Sequence, residues 1–146
     1  MKYDVIIIGA GQAGFSTAVS LRQQKYKGSI LLIGNEKYLP YQRPPLSKKF
    51  LSGIVEVKSL LLKSYTFFQR QDITILTNSY VSEINKEAMT ITLKNQKKLN
   101  YKKLVICTGS KVNRMNFSCN EDRAFYLRTI DDAIQIKNAI KSSKEI

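Results

Sequence analysis

A glycine-rich turn between a buried strand and a helix constrains the fold of this chain more than any other feature. The stretch "YDVIIIGAGQAGFSTAVSLRQQ" begins with an apolar, β-branched run at residues 5–8, which is typical of a strand buried on both faces of a parallel sheet. The G-x-G-x-x-G pattern follows, formed by Gly9, Gly11 and Gly14, and a helical pattern comes next. A second buried strand is predicted at residues 29–33. Together these segments predict a β-α-β unit within an α/β domain.

The spacing inside this unit predicts a dinucleotide site. Gly9 permits the tight turn, Gly11 lets the backbone approach a pyrophosphate, and Gly14 lets helix and strand pack closely. The free amides at the helix start point at phosphate charge. Glu36 stands twenty-two residues after Gly14, where a carboxylate accepts hydrogen bonds from ribose hydroxyls. NAD and FAD share this adenosine and pyrophosphate, so the motif does not distinguish between them. The alternative interpretation is a purely structural glycine turn, with Glu36 as a surface charge.

The rest of the chain predicts a smaller antiparallel excursion and a return to the parallel sheet. A helical region is predicted at residues 59–70, with Ser64 as a cap. Strands follow at 73–76, 79–84, 89–93 and, after the polar turn "KNQKK", at 104–107. Thr129 and Asp132 are placed to cap a final amphipathic helix. The predicted architecture is an α/β domain with a parallel sheet and an inserted antiparallel hairpin or meander.

Composition excludes several classes of protein. No apolar run approaches the roughly 18 to 20 residues of a membrane helix, and the amino-terminal apolar run is too short for a signal peptide, so we expect a cytoplasmic protein without a membrane span. The chain has no histidine, no C-x-x-C pair and only two cysteines, Cys107 and Cys119, which we expect to be reduced. A metal site of the zinc type and a histidine-based triad are therefore not predicted.

The net charge of +13 raises the question of nucleic-acid binding. The lysines are scattered over turns and helix faces, without a long run or an aromatic-interleaved basic motif. We therefore expect a solvated basic surface with no nucleic-acid partner, although an acidic partner would be attracted electrostatically.

Three longer segments carry a family resemblance over essentially all 146 residues. "LLIGNEKYLPYQRPPLSKKFLSG", "SYVSEINKEAMTITLKNQKKLNYKKLVICTGSK" and "FYLRTIDDAIQI" resemble the ferredoxin reductase-like flavoproteins, the group of putidaredoxin and rubredoxin reductases and apoptosis-inducing factor. The resemblance implies a Rossmann-like FAD-binding domain with a small antiparallel β-meander. It also implies an NAD(P)H-dependent reductase that passes electrons to a ferredoxin or rubredoxin.

Residues 1–146 are then a partial FAD-binding domain, the first segment of such an enzyme, without its NAD-binding and C-terminal interface domains. The chain contains no second G-x-G-x-x-G. We expect it to be inactive by itself, and the alternative is a truncated nucleotide-binding module without turnover. No Cys-x4-Cys follows the glycine turn, so a disulfide-reductase mechanism is excluded for this segment.

The resemblance also assigns cofactor contacts residue by residue. The pyrophosphate of FAD falls to Gly9, Gly11 and Gly14, the adenosine ribose to Glu36, and the adenine edge to the backbone of Val81. The remaining contacts are Arg43 with adenosine and pyrophosphate, Pro45 with the isoalloxazine, Lys48 with flavin N5 and O4, and Thr108 and Gly109 through their backbone. Arg114 would contact phosphate, but it stands one position later than the arginine of the relatives' Thr-Gly-x-x-Pro-Arg.

The proline segment agrees with this assignment on physical grounds. All three prolines of the chain lie in "YLPYQRPPLSKKF", residues 38–50. Proline fixes its own backbone and restricts the residue before it, so the segment loses little entropy when it presents Arg43 and the flat face of Pro45 to a ligand. Lys48 near the flavin would stabilise negative charge on the reduced ring. The alternative interpretation is a rigid surface loop with solvated charges.

Overall fold

The structure, a computed structural model, describes residues 2–115 and 124–142. The chain divides into two compact units. The first, here called the sheet unit, comprises Met1–Tyr41 and Leu62–Gly109. The second, here called the arm unit, comprises Gln42–Leu61 and Ser110–Ile146.

The elements follow one another in a β-α-β order and end in a helix. In chain order the described elements are β1 Lys2–Ile8, α1 Gln12–Gln23, β2 Ile30–Ile33, a short 3-10 helix Pro44–Ser47, α2 Val57–Leu60, α3 Tyr65–Arg70, β3 Ile73–Leu76, β4 Val81–Asn85, β5 Thr90–Leu93, β6 Lys98–Ile106 and α4 Ile130–Ser142. None of the helices in the described ranges combines the length and the apolar character needed to cross a membrane.

The sheet unit is built on one mixed sheet. The six described strands lie in the order β3-β2-β1-β6-β5-β4. Strands β3, β2, β1 and β6 are parallel, whereas β5 and β4 continue the sheet in antiparallel fashion. This confirms the predicted α/β fold with a parallel sheet and a small antiparallel meander. The third strand of the meander is the first part of β6 itself, which pairs with β5 near Asn100 and with β1 along its length.

Strands β1 and β2 are buried on both faces, as their apolar runs predicted. On one face, Val5 and Ile7 of β1 pack with Ala18 of α1 and Phe68 of α3. On the other face, side chains of β1 and β2 form one buried cluster with Ile91, Leu93, Leu99 and Tyr101 of the meander. Burying strands on both faces explains why β1 and β2 read as continuous apolar runs rather than as alternating ones.

Several details of the elements differ from the prediction. Strand β6 begins at Lys98 rather than at residue 104, because Leu99 and Tyr101 alternate with polar residues and point into the core. The helical region predicted at 59–70 is two helices, α2 and α3, and the amide of Leu62 between them donates to the carbonyl of Pro40 at 2.8 Å. Ser64 does precede α3, but its hydroxyl lies 2.8 Å from that of Thr66 and does not cap the helix.

The arm unit is stabilised by a helix cap and by contacts between its two segments. Helix α4 begins with the predicted capping box: the amide of Thr129 donates to the Asp132 carboxylate at 2.7 Å, and the amide of Asp132 donates to the Thr129 hydroxyl at 3.2 Å. The ammonium of Lys137 in α4 lies 5.0 Å from the ring centroid of Phe50, which is buried. Within this unit α4 and the 3-10 helix are neighbours.

Candidate functional site

The glycine turn lies at the carboxyl end of β1, and its first residue must be glycine. Gly9 has a φ of +109°, a backbone conformation that other residues rarely adopt. A Cβ atom placed on Gly9 would lie 2.1 Å from the carbonyl oxygen of Cys107, so the backbone after β6 packs directly against the turn. The amide of Gly9 donates to the carbonyl of Ile33 at 2.7 Å, which fixes the turn to the end of β2 as well.

Gly14 is required by packing. A Cβ atom there would lie 1.9 Å from the carbonyl oxygen of Gly9 and 3.1 Å from the side chain of Leu32. The first turn of α1 can therefore approach the strands only because this position has no side chain. Gly9 and Gly14 together allow helix, turn and sheet to meet at backbone distance.

Gly11 is different, because the fold does not need a glycine there. Its φ of −85° suits any residue, and a Cβ atom would meet nothing within 4 Å in the part of the chain that the structure describes. The backbone at Gly11 therefore faces open space. A glycine that neither φ nor packing requires is a reason to look for something else that approaches it closely.

The start of α1 carries the positive end of a helix toward this open space. Among the described residues no side chain caps the helix at Gly11, and its first turn contains no acidic residue. The first intrahelical bond runs from the amide of Phe15 to the carbonyl of Gly11 at 3.0 Å. The amides before Phe15 have no acceptor within the helix, and with the helix dipole they favour an anion such as a phosphate group.

Glu36 lies in the loop that follows β2, on the same edge of the sheet. Two residues before it, Gly34 contacts the glycine turn so closely that a Cβ atom would lie 2.7 Å from the Cβ of Ala10. The hydroxyl of Tyr41 donates to Oε2 of Glu36 at 2.6 Å. Glu36 is half-buried. The structure therefore places Glu36 in the loop beside the glycine turn, as the sequence spacing predicted.

Thr108 and Gly109 follow β6 on the other side of β1. The backbone nitrogen of Thr108 lies 2.9 Å from the position that a Cβ atom of Gly9 would take. Both residues are exposed, and Gly109 has a φ of +70°. Because β2 and β6 flank β1, the chain leaves this edge of the sheet in opposite directions on either side of β1. Such a topological switch point is where open parallel sheets bind their ligands.

Val81 begins β4, the strand that ends the sheet as the structure describes it. The amide of Lys94 donates to the carbonyl of Tyr80 at 2.8 Å, so Val81 and Leu93 form a non-hydrogen-bonded pair. The amide and carbonyl of Val81 consequently point away from β5. The backbone of Val81 is thus presented at the sheet edge, as a backbone contact with a ligand requires.

The loops after β2 and β3 are joined, which links Val81 to the glutamate loop. The amide of Asn78 donates to the carbonyl of Glu36, and the amide of Ser79 donates to the carbonyl of Gly34, both at 2.8 Å. These two bonds also explain why β4 begins at Val81 and not at residue 79.

Four predicted site residues belong to the arm unit, and their contacts within that unit are as follows. The guanidinium of Arg43 donates to the carbonyl of Arg128 at 2.7 Å. Pro45 is half-buried, and its carbonyl accepts a hydrogen bond from the amide of Lys48 at 3.0 Å, whereas the Lys48 side chain is exposed. The Arg114 guanidinium lies 5.9 Å from the ring centroid of Tyr126.

The structure therefore brings one group of the predicted site residues to a single edge of the sheet unit. That group consists of Gly9, Gly11, Gly14, Glu36, Thr108 and Gly109, with Val81 on the adjoining meander. Two further residues near this edge, Gly34 and Tyr41, were not identified from the sequence. Gly34 could have been found as a glycine directly after a strand, but no sequence pattern shows that Tyr41 reaches Glu36.

Comparison with known proteins supports this description. The family model described as pyridine nucleotide-disulphide oxidoreductase matches residues 3–146. The chain is 39% identical over 142 residues to the 3-phenylpropionate/cinnamic acid dioxygenase ferredoxin–NAD(+) reductase component of Photorhabdus laumondii, covering 97% of this chain and 36% of that protein. It is 34% identical over 143 residues to the rubredoxin-NAD(+) reductase of Pseudomonas putida, covering 97% of this chain and 37% of the relative.

A solved structure shows the same fold. The crystal structure of NADH:rubredoxin oxidoreductase from Clostridium acetobutylicum superimposes with a TM-score of 0.88 at 33% identity, covering 97% of this chain and 36% of that one. The chain thus spans little more than a third of the length of these relatives. Sequence, sheet topology and glycine turn agree with the resemblance found in the sequence, and the chain belongs to the pyridine nucleotide-disulphide oxidoreductase family.

Proposed function

We propose that this chain is the first FAD-binding segment of an NAD(P)H-dependent reductase that passes electrons to an iron–sulfur protein of the ferredoxin or rubredoxin type. The names of its relatives support this class of reaction. Because the chain spans about a third of each relative, the reaction is assigned to the longer protein and FAD binding to this segment. A cytoplasmic location stays a prediction from the sequence.

The open space at Gly11 is the observation that carries the proposal. FAD contains a pyrophosphate, and a backbone without a side chain at an uncapped helix start suits one. In this proposal the turn from Gly9 to Gly14 holds the pyrophosphate and Glu36 binds the adenosine ribose. The backbone of Val81, which points away from β5, takes the adenine edge. The backbone of Thr108 and Gly109 contacts the cofactor from the other side of β1.

Four further contacts are proposed from the family resemblance. Arg43 and Arg114 are assigned to the phosphate side of FAD, Pro45 to the isoalloxazine face and Lys48 to its N5 and O4 edge. FAD, when bound, supplies the acceptor for hydride from NAD(P)H and releases electrons singly to an iron–sulfur partner. Lys48 is exposed and its ammonium would favour negative charge on the reduced ring.

A cysteine-pair mechanism is not part of the proposal, despite the family's name. Cys107 is a free, half-buried cysteine whose neighbours are apolar side chains of the sheet. Cys119 lies outside the described residues. Eleven residues separate the two in the sequence, and no Cys-x4-Cys follows the glycine turn.

Substitution of the glycines tests the proposal, because the fold requires two of them and not the third. We expect Gly11→Ala to change the free energy of unfolding by no more than about 1 kcal/mol and to weaken FAD binding at least tenfold, because the new methyl group occupies the open space. Gly14→Ala, the matched control, should unfold the protein, since its Cβ would overlap the carbonyl oxygen of Gly9. Urea unfolding followed by circular dichroism measures stability, and quenching of flavin fluorescence measures FAD binding.

The two possible failures have different meanings. A folded wild-type chain that does not bind FAD overturns the proposed function. A Gly11→Ala chain that binds FAD as tightly as the wild type shows that the pyrophosphate does not lie against this turn.

A further inference from the structure

The carboxylate of Glu36 has a partner that no sequence motif identifies. The hydroxyl of Tyr41 donates to its Oε2 at 2.6 Å, the distance typical of an O–H···O bond to a carboxylate. The two residues are five positions apart, on the loop that leaves β2. We propose that Tyr41 is a positioning residue that fixes the Glu36 carboxylate for the ribose hydroxyls of an adenine nucleotide; this inference rests on the proposed function.

Tyr41 is suited to this role because its ring is held rigidly. The side chain is only 5% exposed, which is unusual for a tyrosine in a loop. Its ring packs edge-on against that of Tyr38, with 6.3 Å between centroids. The preceding residue, Pro40, is fully buried, and its carbonyl accepts the amide of Leu62 at 2.8 Å. The hydroxyl is therefore a donor at a fixed place.

The backbone of Glu36 is fixed as well. Its carbonyl accepts the amide of Asn78 at 2.8 Å, and Gly34 lies against Ala10 of the glycine turn. Immobilising the three side-chain torsions of a glutamate costs binding free energy. A hydrogen bond that orients the carboxylate before the ligand arrives removes part of that cost.

A carboxylate can hold Tyr41 and a ribose at the same time. Its two oxygens accept up to about four hydrogen bonds, whereas each ribose hydroxyl donates one. The tyrosine therefore does not compete with the ligand for the whole acceptor. Loss of the hydroxyl should leave Glu36 in place but less ordered, and the effect should appear only with ligands that have ribose hydroxyls.

Tyr41→Phe isolates the hydroxyl because it keeps the buried ring. We expect Tyr41→Phe to weaken the binding of FAD and ADP about tenfold. Binding of 2′,3′-dideoxy-ADP, which lacks the hydroxyls, should be unchanged. In a Glu36→Ala background the same substitution should have no effect on ADP binding. Isothermal titration calorimetry with ADP and the dideoxy analogue and flavin fluorescence with FAD give these affinities.

Tyr101→Phe is the matched control. Tyr101 is also buried, and its hydroxyl donates to the carbonyl of Asn85 at 3.4 Å in the meander. Removing that hydroxyl should alter stability and leave ADP affinity unchanged. Urea unfolding of every variant separates a loss of folding from a loss of binding.

Three results would contradict the inference in distinguishable ways. If Tyr41→Phe binds ADP like the wild type, Tyr41 does not position Glu36, while the proposed function stands. If its penalty is equal for ADP and the dideoxy analogue, or persists without Glu36, the hydroxyl acts only on folding. If the wild-type chain binds neither FAD nor ADP, the proposed function is wrong and the inference with it.

Discussion

The charge of Asp4 is tied to the fold by contacts with two residues. Its carboxylate accepts hydrogen bonds from the amide and the hydroxyl of Ser29, at 2.7 and 2.8 Å, and lies 2.7 Å from the ammonium of Lys102. The bond from Lys102 and those from Ser29 hold the pKa of Asp4 well below its usual range. The hydrogen bond with Asp4 in turn raises the pKa of Lys102. Asp4 thereby joins the start of β1 to the start of β2 and to β6.

This arrangement predicts how stability depends on pH. A carboxylate whose pKa is lowered by folding stabilises the protein above its unfolded pKa of about 3.9, and this contribution is lost as the pH falls through the folded value. An ammonium with a raised pKa contributes below about pH 10.4 and loses that contribution as the pH rises through its folded value. We expect Asp4→Asn to lower the free energy of unfolding by a constant amount from about pH 5 to 9.

The difference between wild type and Asp4→Asn should shrink below about pH 4, where the Asp4 carboxylate of the unfolded chain takes up a proton while that of the folded protein is still ionised. Urea unfolding at a series of pH values measures it. Glu87→Gln, which changes an exposed carboxylate in the turn between β4 and β5, serves as the control and should have little effect at any pH. A difference that does not change between pH 7 and 3 would show that the charge of Asp4 is unimportant.

At the residue scale, the sequence predicts what is local and not what the fold brings together. The three glycines and Glu36 were found from their spacing, because turn geometry and strand length set the distance along the chain between turn and carboxylate. Tyr41 was not found, because its contact with Glu36 depends on the path of the loop and on the burial of Pro40. The ligand contacts assigned to these residues stay proposals.

At the scale of elements, Arg22 joins the end of α1 to the turn between α3 and β3. Its guanidinium donates to the carbonyls of Gln71 and Asp72, at 2.9 and 2.6 Å. It also donates to the carbonyls of Tyr26 and Gly28, which lead from α1 to β2. The side chain is 10% exposed, whereas Asp72, 3.5 Å away, is 94% exposed. The structural role of Arg22 is therefore to donate hydrogen bonds to backbone carbonyls rather than to form an ion pair.

Replacing Arg22 should lower the stability of the fold, because its hydrogen bonds to these carbonyls are lost. Arg22→Met keeps much of the buried stem but leaves four carbonyls without their donor, so we expect a loss of about 2 to 4 kcal/mol of unfolding free energy. The control is Arg70→Met, which changes an exposed arginine in the last turn of α3. Urea unfolding measures both. Equal stability of the two variants would contradict the role given to Arg22.

Element prediction succeeded where the local pattern is unambiguous. The buried runs of β1 and β2 and the capping box of α4 were predicted correctly because each depends on residues close in sequence. Strand β6 was predicted too short, because its first half has one face buried and one exposed, so its apolar residues alternate. The helical region was not divided, because the break near Leu62 is set by a hydrogen bond to Pro40, twenty-two residues earlier.

At the scale of the whole molecule, charge and length bear on partners and activity. The net charge of +13 would attract an acidic protein, and the interaction would weaken with salt because surface charges are screened. The absence of a nucleic-acid partner stays a prediction from the sequence. Two of the relatives are named for reducing ferredoxin or rubredoxin, and each is nearly three times as long as this chain.

The last prediction follows from what a reductase must hold at once. Hydride transfer requires a nicotinamide held against the flavin within van der Waals distance, and such positioning accounts for a large part of the rate. The chain has a single G-x-G-x-x-G, which is assigned here to FAD. We therefore expect the 146-residue chain to bind FAD. With NADH or NADPH and an artificial acceptor such as ferricyanide, it should reduce the acceptor no faster than free FAD does.

Anaerobic stopped-flow absorbance at the flavin band measures reduction directly, with free FAD and the Gly11→Ala chain as controls. Flavin reduction that is faster than in free FAD and is abolished in Gly11→Ala would show that this segment also positions the nicotinamide, and it would contradict the assignment of turnover to the longer protein.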